Sequence, residues 1–151
     1  LADDARIGGT LAIKTFKDGQ VVREVGPFPN KFVSSSGYGR NLVLRAMAGE
    51  VTYPIAINSA AVGTGATAAA DADTGLVTSV ASGLSITNMT VTNNQLVVDV
   101  FVPDASLPNG TYKEFGLFAT LRLLARILIS PNYTKASGED TLFTYSLTLT
   151  G

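Results

Sequence analysis

The feature that most constrains this chain is the strict alternation near its C-terminal end. Phe143, Tyr145, Leu147 and Leu149 interleave there with Thr144, Ser146, Thr148 and Thr150. A period of two puts successive side chains on opposite faces, so the stretch reads as a β-strand with one face on a core. A shorter version occurs near the start. Leu11, Ile13 and Thr15 alternate with Ala12, Lys14 and Phe16, and Lys17-Asp18-Gly19-Gln20 follows before an apolar return over residues 21–25. Asp-Gly between such runs marks a tight hairpin, because glycine accepts the positive φ the turn demands. Pro27-Phe28-Pro29-Asn30 then breaks the ladder. Residues 1–30 are therefore expected to form an N-terminal β-hairpin that supplies few core residues and is free to reach out as an arm.

Residues 31–151 carry the remaining pattern. Ser34-Ser35-Ser36 offers N-caps for one short helix near residues 37–48, with Leu42, Ala46 and Met47 on a buried stripe, Arg40 and Arg45 toward solvent and Gly49 at the C-terminus. Strands are expected around residues 55–62, 76–80, 84–91, 95–102, 112–119 and 121–129, with Thr92-Asn93-Asn94 as a tight turn and residues 130–138 as a polar connection. Many short strands separated by Gly, Pro and Asn turns indicate a mainly β, antiparallel sandwich or barrel-like domain. At 151 residues the chain fits one such domain.

Composition narrows the chemistry. There is no cysteine and no histidine, which removes thiolate nucleophiles, disulfides, the commonest general base and the commonest transition-metal ligand. Charged residues make up 15% of the chain and the net charge is −1, with no two basic residues adjacent. No field gathers nucleic acid, and none is expected as a partner. No apolar run reaches the 18 or so residues of a membrane helix, so no membrane association is expected. The opening Leu1-Ala2-Asp3-Asp4 has no basic region followed by an apolar run, so no signal peptide is expected. A surface poor in charge and rich in threonine suits contact with other protein surfaces, since few hydrated charges are stripped on association.

Individual motifs add little chemistry. Val62-Gly63-Thr64-Gly65-Ala66-Thr67-Ala68 is glycine-rich but leads into no apolar helical face, as a phosphate loop would. Asp71 and Asp73 have the opening spacing of a calcium loop without its distal glutamate. Glu114, Glu139 and Asp140 are the carboxylates available for acid–base work, and Ser34, Ser35 and Ser36 with Lys31 are the available nucleophile–base set. An ion pair from Glu114 to Arg122 or Arg126 across a hairpin is the simpler use of that carboxylate. No metal, cofactor or catalytic residue is therefore expected. A carbohydrate-binding sandwich would need a row of exposed aromatics, for which only Tyr38, Tyr53, Tyr112 and Tyr133 are at hand.

Several segments in fixed order resemble small bacteriophage virion proteins of the tail, baseplate or fibre-attachment type. They are Asn30-Lys31-Phe32-Val33-Ser34-Ser35-Ser36-Gly37-Tyr38-Gly39-Arg40-Asn41-Leu42, the loop from Val62-Gly63-Thr64-Gly65 to Asp73-Thr74-Gly75-Leu76, and Glu114-Phe115-Gly116-Leu117-Phe118. Leu124-Ala125-Arg126, Ser130-Pro131 and Thr134-Lys135 complete the series. The resemblance implies a non-enzymatic virion component, with Glu114 and Arg126 as a structural ion pair. Its partners would be copies of itself and tail, baseplate or major capsid proteins, met through interfaces of about 1,600 Å². The contact segments expected are the N-terminal hairpin with Pro27, Phe28 and Pro29, the Gly63 to Gly75 loop with Thr64, Gly65, Asp71 and Asp73, and the Pro103 to Gly110 loop with Pro108. With no repetitive shaft and no receptor-binding tip, a capsid decoration (cement) protein is the alternative.

Overall fold

The computed structural model describes residues 5–151; the expectation drawn from Leu1-Ala2-Asp3-Asp4 falls outside them. Nine antiparallel strands in the described residues form one sheet curled into a half-barrel, with one α-helix. In chain order they are β1 (Arg6–Lys17), β2 (Gln20–Phe32), α1 (Arg40–Met47), β3 (Ser59–Gly63), β4 (Ser79–Ser85), β5 (Asn88–Thr92), β6 (Gln95–Val102), β7 (Gly110–Ala119), β8 (Arg122–Lys135) and β9 (Asp140–Thr150). Their order across the sheet is β4-β3-β7-β8-β2-β1-β9-β6-β5.

Two places let the sheet fold over on itself. Strand β2 pairs with β1 as far as Pro29 and then with β8 over Asn30–Phe32, so it turns the corner between the two halves. On the far side the chain passes from β4, one sheet edge, to β5, the other, through only Ile86 and Thr87. Thr87 is tied to β6 there, donating its N–H to the Asp99 carbonyl and accepting the Phe101 N–H on its hydroxyl, each at 2.8 Å.

The core lies between the halves. Leu11, Ile13, Val100 and Phe143 point inward from one, Phe115, Leu117 and Ile127 from the other, all essentially sealed from solvent. The Phe115 and Phe143 rings meet across it at 5.1 Å. The C-terminal alternation is realised in β9, where Thr141, Phe143 and Tyr145 are buried.

The hairpin is present, but it is not an arm. Strand β1 lies between β2 and β9 in the middle of the sheet, and Leu11, Ile13 and Thr15 are fully buried. Nor does Pro27-Phe28-Pro29 stop the ladder. Leu11 faces Phe28 and Ile13 faces Val25, so Gly26 and Pro27 together oppose Ala12 alone. This bulge shifts the alternation and turns Phe28 into the core. Gly26 makes it possible, with φ of 101° and a site where a Cβ would stand 2.7 Å from the Leu11 carbonyl oxygen.

Other expectations shift for equally local reasons. Helix α1 buries Leu42 and half-buries Val43 but leaves Ala46 and Met47 in solvent, because only its first turn packs on the core. Gly39 precedes it with no side-chain cap, so Ser34-Ser35-Ser36 does not cap it. Gly49, at φ of 81°, ends it as expected. Arg45 is half-buried, bonded to Asn41 at 2.6 Å. Strand β4 begins at Ser79 rather than at residue 76, and the strand expected over 84–91 is divided at Ile86 and Thr87. Strand β8 runs on through the segment expected to be a polar connection, since Tyr133 and Lys135 both turn inward.

Candidate functional site

Three features of the described residues stand out, and the first is a buried ionic latch. Strand β7 presents Phe115 and Leu117 to the core and Glu114 and Gly116 to its outer side, which the loop of residues 64–78 covers. Both Glu114 and Arg126 are fully buried. Glu114 Oε1 accepts from Arg126 Nε at 3.0 Å and from the Val77 N–H at 2.9 Å, while Oε2 accepts from the Gly65 N–H at 2.7 Å and the Thr78 N–H at 2.8 Å. Arg126 spends its other nitrogens on Asp73 Oδ2 at 3.2 Å and the Thr67 carbonyl at 2.8 Å. Burial opposes the Glu114 charge, but the amides of Thr78 and Val77, the Arg126 guanidinium and the Gly65 amide outweigh it and hold this carboxyl below its ordinary range.

The small-residue loop is thus clamped rather than wandering. Gly63 belongs to β3 and is buried, as is Gly65, whereas Thr64 is exposed. The two glycines cannot serve as contact surface, because they are what lets the loop close on Glu114. Asp71 is exposed and binds Lys31 and Arg40, and Asp73 is half-buried under Arg126. Both aspartates have cations as partners, and no group of three candidate metal ligands occurs among the described residues. Pro27, Pro29, Pro103 and Pro108 are exposed; Phe28 is not.

The carboxylates considered for catalysis do not converge. Glu139 pairs with Arg23 at 3.0 Å and also accepts the Ala136 N–H, and these contacts hold it below the ordinary range. Asp140 accepts the Asp104 N–H at 2.8 Å. Lys31 is engaged by Asp71, and Ser36 accepts from Arg45 at 3.1 Å. The tyrosines form no platform either. Tyr112 and Tyr133 are buried, while Tyr38 and Tyr53 pack on Arg122, whose guanidinium carbon lies 3.9 Å from the Tyr53 ring centre.

The second feature is a groove at the open end of the half-barrel, with a volume of about 430 Å³. One wall is Ile7 of β1, Leu96 of β6, and Leu147 and Leu149 of β9, extended by Met89 and Val91 on edge strand β5. The opposite wall is Phe32, Leu124 and Val43, roofed by Ile55, Ala56 and Ile57. Every lining residue is apolar. Leu147 and Leu149, expected on the core face with Phe143 and Tyr145, are only half-buried and exposed respectively and line this groove. Ile7 and Leu96, the partners of Leu149 and Leu147 on β1 and β6, continue the same apolar face. Residues 55–58, expected as the start of a strand, lie outside β3, so that Ile55 and Ile57 roof the groove instead.

A third element is small. The β7–β8 hairpin turns through Thr120 and Leu121, both at positive φ, 47° and 68°. Asn58 braces the turn, accepting the Thr120 N–H at 3.0 Å. Leu121 stands 88% exposed at the tip.

Comparison with protein-family models, with curated proteins and with solved structures finds no match for this chain.

Proposed function

We propose that this chain is a non-enzymatic structural component of a phage virion, assembling through protein–protein contacts as a tail, baseplate or fibre-attachment protein. The observation that carries the reading is Leu121. A two-residue hairpin turn with both φ positive is normally built from Asn-Gly or similar pairs. Here a β-branched threonine and a leucine occupy it, at a cost of about 1–3 kcal/mol for each strained residue. That strain holds a large apolar side chain in water, braced by Asn58. A chain adapted to solitary life gains nothing from this; one that seats Leu121 in a partner does.

Other exposed apolar residues support the same reading. Val51 is 90% exposed and Met47 79%. The resembling segments also share one device, since Glu114 of one and Arg126 of another close on Gly65 and Asp73 of a third. The proposed partners are copies of this chain and other virion proteins.

The test is labelling of intact particles with an antibody to this chain, together with incorporation of a Thr120→Asn/Leu121→Gly variant. Signal at the tail, with a variant that is more stable in isolation yet poorly incorporated, is the expected result. Signal spread over the head would replace the tail assignment with capsid decoration, and particles without signal would remove the virion reading.

A further inference from the structure

We infer that the groove at the open end of the half-barrel binds a free single-chain amphiphile with an anionic head group, of the fatty-acid class. Its size lies within the roughly 300–1,000 Å³ of small-molecule sites, and barrel mouths are among the places where such sites form. Its lining side chains are all apolar, which suits an alkyl chain better than a polar ligand. Each methylene moved from water into such a site adds to affinity.

Charge assigns the head group. A smaller cleft of about 200 Å³ adjoins the groove and shares Ile7 and Phe32 with it. Lys31 and Arg40 line this cleft. Both are directed at a single oxygen, Asp71 Oδ1, at 3.1 and 2.8 Å, so two cations share one carboxylate and one positive charge is left over. The chain as a whole is net negative, yet the segments bordering the groove (6–8, 30–33, 40–43, 55–58, 88–96, 123–125 and 147–150) contain Arg6, Lys31 and Arg40 and no acidic residue. An apolar slot opening beside surplus positive charge complements a carboxylate on an alkyl chain. It disfavours a cationic amphiphile of the same length.

The experiment is calorimetric titration of the full chain with dodecanoate, dodecyltrimethylammonium and 1-dodecanol, all below their micelle-forming or solubility limits. Methyl NMR of the isoleucines locates the site. The expected result is saturable binding of one dodecanoate per chain, with shifts at Ile7, Ile55 and Ile57, and at least tenfold weaker binding of the ammonium compound. Lys31→Glu/Arg40→Glu should weaken dodecanoate at least tenfold and leave dodecanol unchanged. Should that variant fail to fold, the head-group series on the natural chain decides alone. Equal binding of both charged amphiphiles, no binding of any, or binding only to phosphatidylglycerol vesicles would overturn the inference. So would a dimer of this chain whose groove excludes dodecanoate. None of these outcomes depends on where the chain resides in a particle.

Discussion

Glu114 and Arg126, twelve residues apart on paired strands, meet through Nε and Oε1 at 3.0 Å with both side chains wholly shielded from solvent. Burying two ions is costly, and their attraction offsets that cost only when their remaining hydrogen-bonding groups also find partners. Here three loop amides, a carbonyl and Asp73 supply them. Glu114→Gln leaves Arg126 only the half-buried Asp73 as counter-charge and turns an amide NH2 toward N–H donors, and the expected loss is about 3–5 kcal/mol. Glu114→Gln/Arg126→Met should lose less than the sum of the two single changes. Urea denaturation of the four proteins gives the coupling; strict additivity would mean that the pair does not act as a unit.

The same carboxylate makes the fold acid-sensitive. Its folded value lies below the ordinary 4.5, so the folded state holds the charged form more firmly than the unfolded chain does. The contribution is complete above the unfolded value and is lost as pH falls through the folded one. Glu139, held down by Arg23, acts in the same direction. The urea midpoint should be flat from pH 7 to about 5 and fall below that. Glu114→Gln should fall less steeply over the acid range, and a parallel decline would assign acid lability to other groups.

How much of this was legible beforehand depends on range. The C-terminal strand, the Asp18-Gly19 turn and the antiparallel β class are local consequences of period and turn chemistry, and they can be read from neighbouring residues. Phe28 could not be placed that way. Its burial depends on a bulge set by pairing with Leu11 and Ala12, which no window around Pro27 contains. The loop of 64–78 likewise reads as unstructured, because the carboxylate that orders it lies 49 residues beyond Gly65. The groove has no local signature, because its apolar residues come from six strands, a helix and a loop and each has the pattern of a core residue.

Gly65 should be indispensable where Gly75 is not. A Cβ at Gly65 would stand 2.5 Å from the Val77 Cβ and would also press on Glu114 Oε2, whereas one at Gly75 meets nothing within 4 Å. Gly65→Ala is therefore expected to lift the loop from Glu114 and to speed proteolytic cleavage within residues 64–78 by tenfold or more, with the half-barrel still folded. Gly75→Ala should cleave like the natural chain. Equal rates for the two variants would mean that the latch does not control the loop.

Tyr133 offers a test of the core that is independent of charge. Its hydroxyl lies between Thr15 Oγ1 at 2.9 Å and Thr141 Oγ1 at 2.8 Å, joining β8 to β1 and β9 within the buried interior. Removing one member of such a chain costs more than its hydrogen bonds are worth, because the remaining hydroxyls have already been taken out of water. Tyr133→Phe should destabilise the fold by about 1–3 kcal/mol, seen as a lower urea midpoint at unchanged slope. Thr15→Val/Tyr133→Phe/Thr141→Val removes every polar atom at nearly constant shape and should recover most of that loss. A triple variant less stable than Tyr133→Phe would instead mean that each threonine hydroxyl stabilises the fold through a partner other than the tyrosine.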